Sequence, residues 1–247
     1  MGTGCDTILA QMAADGLGCD MDNIIVRGVD TDQSPYDSGS YASSTTYVTG
    51  GAVVKACESM RKRICEEAAA IMGLKSGEVD FDGETISEND NPEHSMTLSD
   101  LITSLEAGNG RIIEVTESHT SPVSPPPFMA GAAEIEVDLE TGKITPINYV
   151  AAVDCGTVIN TNLARIQTEG GIVQGMGMTL YEDVQYTEAG KMKNRNFMSY
   201  KIPTRLDMGS ISVEFESSYE QTGPYGAKSI GEIVNQYTGT GNCGCSI

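Results

Sequence analysis

Basic residues are scarce in this chain: 15 lysines and arginines stand against 35 aspartates and glutamates, a formal net charge of −20 over 247 residues. Nucleic acid and anionic membranes are recognised through basic patches, so this balance argues against both as partners. Long apolar runs are missing as well; no stretch approaches the roughly 18 residues of a membrane span. The first residues carry neither a basic start nor an apolar run, so no signal peptide is expected. Histidine is confined to His94 and His119, and none of the seven cysteines forms a C-x-x-C pair. An odd, scattered cysteine set fits reduced thiols in a cytoplasmic protein. No protein-ligated zinc or iron–sulfur site is expected, since three or four ligands are normally needed; Cys243-Gly244-Cys245 is a weak exception.

What is present reads as one large or two small domains. Met1-Gly2-Thr3-Gly4 leads into a helix with Ile8, Leu9, Met12 and Ala13 at helical spacing, which Asp6 or Thr7 can cap. A Gly-x-Gly turn feeding a helix start is either only a helix start or a set of amide donors for an anion. Ile24, Ile25 and Val26 read as a strand. Residues 34–46 are rich in small hydroxyl side chains and have no core-building period. They form a polar loop before the next helix or a lining of short donors around a ligand's oxygens.

The clearest helix places Val53, Cys57, Met60, Ile64, Ala68 and Ile71 on one face and ends at Gly73. Asp82-Gly83 turns a hairpin, and Thr97 opens a short helix through Leu101, Ile102 and Leu105. His94 reads as a solvated loop residue. Four prolines at 122 and 125–127 favour an extended chain, as a linker or a crossing within one domain. Ile135 and Val137 alternate with Glu134, Glu136 and Asp138 as a half-exposed strand. A second strand starts at Ile144, and a third covers residues 149–153 and ends at Asp154-Cys155-Gly156.

Glycine then becomes dense. Gly170, Gly171, Gly175 and Gly177 let another backbone or a flat cofactor pack closely. Near the end stands Gly223-Pro224-Tyr225-Gly226-Ala227-Lys228-Ser229-Ile230-Gly231-Glu232, a loop that is poor helix material and brings Glu232 to its tip. By spacing alone it is either a surface turn with a solvated glutamate or a mount for a carboxylate aimed into a cavity.

Three blocks carry a resemblance: Gln167-Thr168-Glu169-Gly170-Gly171-Ile172-Val173-Gln174-Gly175-Met176-Gly177, then Tyr200-Lys201-Ile202-Pro203, then the loop ending at Glu232. In this order they resemble the C-terminal molybdopterin-binding part of the xanthine dehydrogenase/aldehyde oxidase family, closest to the bacterial xanthine dehydrogenase molybdenum-binding subunit. The resemblance implies an α+β fold, the second molybdopterin-binding domain of the large subunit, over residues 1–232, with 233–247 an atypical, truncated or frameshifted tail. It implies a molybdenum cofactor held by its own dithiolene, without a metal ligand from this chain. Its contacts would come from Gly2, Thr3, Gly4, Ala42, Ser43, Ser44, Thr45, Gln167 and Gly231, and Glu232 would be the catalytic base.

The implied activity is hydroxylation, with water-derived oxygen, of an electron-poor carbon in a purine such as xanthine. Nicotinate or aldehyde oxidation stands as an alternative within the class, and a non-catalytic scaffold or inactive fragment outside it. The implied partners are the upstream half of the molybdenum subunit and subunits holding iron–sulfur clusters and FAD. The base's burial is expected to raise its pKa. Lys228, four residues away, either tempers that shift or faces solvent.

Overall fold

The computed structural model describes residues 2–28, 30–32 and 34–235; Cys243, Cys245 and the tail from 236 lie outside the described residues. The chain divides into two compact units, Met1–Gly39 with Thr45–Val123, and Ser40–Ser44 with Ser124–Ile247. The passage between Val123 and Ser124 falls in the proline-rich stretch, expected to be extended as a linker or as a crossing within one domain. Each unit combines helices with a three-stranded sheet, so the class is α+β.

In the first unit, helix α1 (Cys5–Leu17) begins earlier than its expected caps. Gly4 takes the N-cap position at φ 77°, which puts Asp6 and Thr7 inside the first turn. Residues 24–26 do not form the expected strand; they are extended without a ladder partner, and Ile25 is 81% exposed. A β-branched run makes a strand only where a neighbouring strand pairs with it. Helix α2 (Gly50–Met72) ends at Gly73, whose φ of 75° lets its N–H reach the Ala69 carbonyl. Cys57, Ile64 and Ala68 of the expected face are buried, while Ile71 is exposed.

Strands β1 (Val79–Phe81), β2 (Thr85–Glu88) and β3 (Asn91–Thr97) form an antiparallel sheet in that order. The Asp82 carboxylate accepts from the Glu84 and Thr85 amides at 2.9 and 2.7 Å and fixes the hairpin turn. His94 is not in a loop but in β3, its Nδ1 2.8 Å from Glu88. Helix α3 (Leu98–Asn109) is capped by Thr97, whose hydroxyl accepts from the Asp100 amide at 3.1 Å. The core joins α2 to the sheet and α3 through Ile64, Ala68, Val79, Phe81, Ile86 and Leu101.

The second unit carries β4 (Phe128–Val137), β5 (Ile144–Asp154) and β6 (Ser210–Phe215), in that order. β4 and β5 run antiparallel, and β5 and β6 run parallel. The two strands expected after Lys143 are one continuous β5. Pro146 stands opposite Ile135, where the register shifts, and that bulge accommodates the missing donor. Helix α4 (Thr161–Leu180), capped by the Asn160 side chain, crosses the sheet.

Two of the α4 glycines, Gly171 and Gly177, serve close approach, while Gly170 faces open space. A Cβ at Gly171 would lie 2.1 Å from Val234 Cγ2, and one at Gly177 3.0 Å from Pro203 Cδ. The core gathers Tyr149, Ala151 and Val153 of β5, Ile172 and Met176 of α4, and Met208. It continues past Glu232 to Ile233 and Val234, both buried. Among the described residues no helix is long and apolar enough to cross a membrane.

Candidate active site

The loop that carries Glu232 is fastened to the end of β5 by backbone. Gly156 pairs with Ala227 as an isolated bridge, Thr157 N–H donates to the Gly226 carbonyl at 2.8 Å, and Lys228 N–H donates to the Cys155 carbonyl at 2.7 Å. Gly156 has to be glycine. Its φ is 70°, and a Cβ there would fall 2.3 Å from the Gly226 carbonyl oxygen. The loop itself turns through residues 224–226, with Tyr225 left-handed at φ 52°.

Side chains reinforce the join. The Lys228 ammonium lies 2.7 Å from Asp154 Oδ2, and Lys228 is only 8% exposed. Asp154 Oδ1 accepts from the Ser218 hydroxyl at 2.5 Å and the Gly156 amide at 3.0 Å. Burial pushes the Asp154 carboxyl up, but the Lys228, Ser218 and Gly156 hydrogen bonds outweigh it, and the net direction is down. Burial also pushes the neighbouring Cys155 thiol up, to about 11, so it is protonated and inert at neutral pH.

Beyond Lys228 the loop lines a cavity of about 270 Å³, walled by Ala42, Ser43, Ser124, Pro125, Pro127, Ser229, Ile230, Glu232 and Ile233. Ala42 and Ser43 are successive left-handed residues, φ 52° and 56°. Such backbone costs about 1–2 kcal/mol per residue outside glycine and persists only where the surroundings fix it. Gly231 packs against the second of them: a Cβ at that position would come within 2.8 Å of Ser43 Oγ. A larger hollow of about 400 Å³ lies between α4 and residues 203–211. It is the poorer candidate, because its Glu169 is 3.9 Å from Arg165 and its Arg205 donates to the Gly209 carbonyl at 2.9 Å.

The structure thus brings Ala42, Ser43, Gly231 and Glu232 together in the second unit. Ser44 adjoins them in sequence, its N–H donating to the Tyr41 carbonyl at 3.2 Å. Gln167 is half-buried on α4, one turn before Gly171 and hence on the helix face that meets Val234. Gly2, Thr3, Gly4 and Thr45 belong to the first unit. Gly2 and Gly4 are both left-handed at the entry to α1, and Thr45 opens a π-helical turn before α2.

Two expectations fail. Glu232 is exposed, not buried, and Lys228 does not face solvent, because Asp154 holds it. The sequence reading missed the Asp154–Ser218–Lys228 cluster. A strand ending in Asp-Cys-Gly and a lysine inside a glycine loop were visible, but nothing in the spacing joins positions 74 residues apart.

The donor set suits an oxygen-rich ligand rather than a metal bound directly. The cavity offers the hydroxyls of Ser43, Ser124 and Ser229. Among the described residues no group of three or more His, Cys, Asp or Glu is placed to hold a metal ion. Comparison with known proteins agrees in kind. The family model described as a molybdopterin cofactor-binding domain matches residues 1–209. The probable hypoxanthine oxidase of Escherichia coli (strain K12) is 32% identical over 94% of this chain and 24% of its own. The xanthine dehydrogenase molybdenum-binding subunit of Escherichia coli O157:H7 is 28% identical over 94% of this chain and 32% of its own. The reconstituted CO dehydrogenase from Oligotropha carboxidovorans superimposes with a TM-score of 0.83 at 26% identity, over 98% of this chain and 30% of that one. The chain spans about a quarter to a third of the length of these relatives.

Proposed function

Because the chain belongs to the molybdopterin cofactor-binding domain family, as the molybdenum-binding part of the xanthine dehydrogenase/aldehyde oxidase kind, we propose that it serves a molybdenum hydroxylase acting on a purine such as xanthine. The purine choice is supported by relatives named for hypoxanthine and xanthine. The chain covers 24% of the length of that hypoxanthine oxidase, and the proposed activity is that of an assembly. In that assembly an upstream half completes the molybdenum subunit, and iron–sulfur and FAD subunits take the electrons. Five free cysteines among the described residues support a reducing, cytoplasmic setting.

Ala42, Ser43, Ser44, Gln167 and Gly231 are the residues of the second unit that would hold molybdopterin. Gly2, Thr3, Gly4 and Thr45 are assigned to the same cofactor on sequence resemblance alone. When bound, the cofactor supplies the two-electron acceptor, which no side chain of this chain can be. Glu232 receives the proton released as water-derived oxygen enters the substrate. The observation that carries this reading is the position of Glu232 in the wall of the cavity that Ala42 and Ser43 also line.

Glu232→Gln keeps the side chain's size and removes the proton acceptor. In the assembled complex, molybdenum content should match wild type while turnover falls about 10²–10⁴-fold, the usual worth of a general base. Full molybdenum with near-normal turnover would leave the loop a structural turn and favour a scaffold role.

A further inference from the structure

Lys228 reaches more than its ion-pair partner. Its ammonium lies 2.7 Å from Asp154 Oδ2, 3.5 Å from the Pro126 carbonyl and 5.4 Å from the Phe128 ring centroid. Pro125 and Pro127 form one wall of the cavity, and Ser229, Ile230 and Glu232 form another. The lysine therefore ties the first wall, through Pro126, to the foot of the second. Asp154 anchors that tie to the end of β5, with its remaining oxygen satisfied by Ser218 and Gly156. Apolar packing is non-directional and would fill the same space without fixing the span. A buried charge pair has a set geometry, and removing one member leaves the other uncompensated.

We propose that the Lys228–Asp154 pair is a positioning device for Glu232: it sets the width of the cavity between the 125–127 and 229–232 walls and so holds the proton acceptor in place. The proposal rests on Glu232 acting as the base. Lys228 touches no reacting atom and is a positioning residue. A misplacement of about 1 Å in such a site can cost on the order of 10²-fold in rate, so a loosened wall has a measurable effect.

The test compares Lys228→Met, Asp154→Asn and the double variant in the assembled complex, with Lys228→Arg as the conservative replacement. Asp154→Asn keeps the shape and retains a partner for Ser218, so it reads the pair even where Lys228→Met folds poorly. Hydrogen exchange at amides 229–235 is expected to rise in both single variants while α4 stays protected. At matched molybdenum content, kcat should fall about tenfold or more with KM within about twofold, the pattern of a lost transition-state contact. The double variant should be no worse than Lys228→Met, because the two act as one unit. Lys228→Arg should recover part of kcat. Unchanged exchange at 229–235 overturns the proposal whatever the turnover. So does faster exchange with wild-type kcat, or a fall in Tm whose surviving folded fraction turns over normally. The base reading fails separately, on an active Glu232→Gln.

Discussion

The two units each press a left-handed glycine against a distant carbonyl and place a cation beside the contact, yet they choose different partners for the cation. In the first unit, a Cβ at Gly83 would lie 1.9 Å from the Gly18 carbonyl oxygen. Arg61 spans the join, donating to the Leu17 carbonyl at 3.0 Å and to the Phe81 carbonyl, over the Phe81 ring. In the second, Gly156 meets Gly226, and Lys228 stands beside them on Asp154. Arg61 is one-third exposed, and its nearest carboxylate, on Asp80, is 3.7 Å away and itself 76% exposed. Lys228 is buried. Carbonyl partners do not titrate and cannot be removed by substitution; a carboxylate partner does and can. The cation at the Gly83 join therefore works mainly through backbone carbonyls, whereas at the Gly156 join a charge pair is added to the backbone bonds.

Lys228→Met gives the largest break in that parallel. It strands Asp154 in a largely buried site, and a loss of about 3 kcal/mol is expected in denaturant titration of the assembled protein. Gly83→Ala and Gly156→Ala should resemble each other, since each forces a left-handed alanine into a carbonyl. About 2 kcal/mol each is expected, measured the same way. A loss at only one of the two would show that one contact can relax. Arg61→Met should cost less, about 1 kcal/mol, because it removes two hydrogen bonds of a one-third exposed side chain and strands no buried charge.

Acid gives the smallest and most diagnostic difference. The folded Asp154 carboxyl lies below its ordinary 3.8, chiefly because Lys228, Ser218 and Gly156 outweigh its burial. Its contribution is complete above that ordinary value and is lost as pH falls from there through the lower folded value. Exchange at amides 226–228 should accelerate over that range, and exchange at amides 18 and 19, which donate to the Ala14 carbonyl on the Gly18 side of the first join, should respond less in the same samples. Equal acid sensitivity at both places would erase the distinction.

The sequence made the elements legible where period and punctuation agreed. Cys57, Ile64 and Ala68 declared α2, Gly73 its end, and Asp82-Gly83 the hairpin. It misled where a local preference had no tertiary partner, as at Ile24 to Val26, or where a partner strand overrode a loop signal, as at His94 in β3. At the site, Ser43, Gly231 and Glu232 were visible as family-like residues. The cavity that Ser43 and Glu232 share was not, because the two lie far apart in the chain and no spacing rule joins them. Asp154 and Lys228 were the least legible. Each looks like an ordinary surface charge until burial forces the two together.

Gly231 has one further consequence. The nearest atom to its missing Cβ is the Ser43 hydroxyl, at 2.8 Å, while the Ser43 Cβ stays 3.4 Å away. A methyl group at 231 would thus spare the backbone and act on a single torsion, turning the Ser43 χ1 to another staggered well. The aim of that hydroxyl within the cavity is set by an atom that is not there. Positions 43 and 231 are accordingly one choice of side chain made at two places in the chain, and a designer changing either should expect to rewrite both.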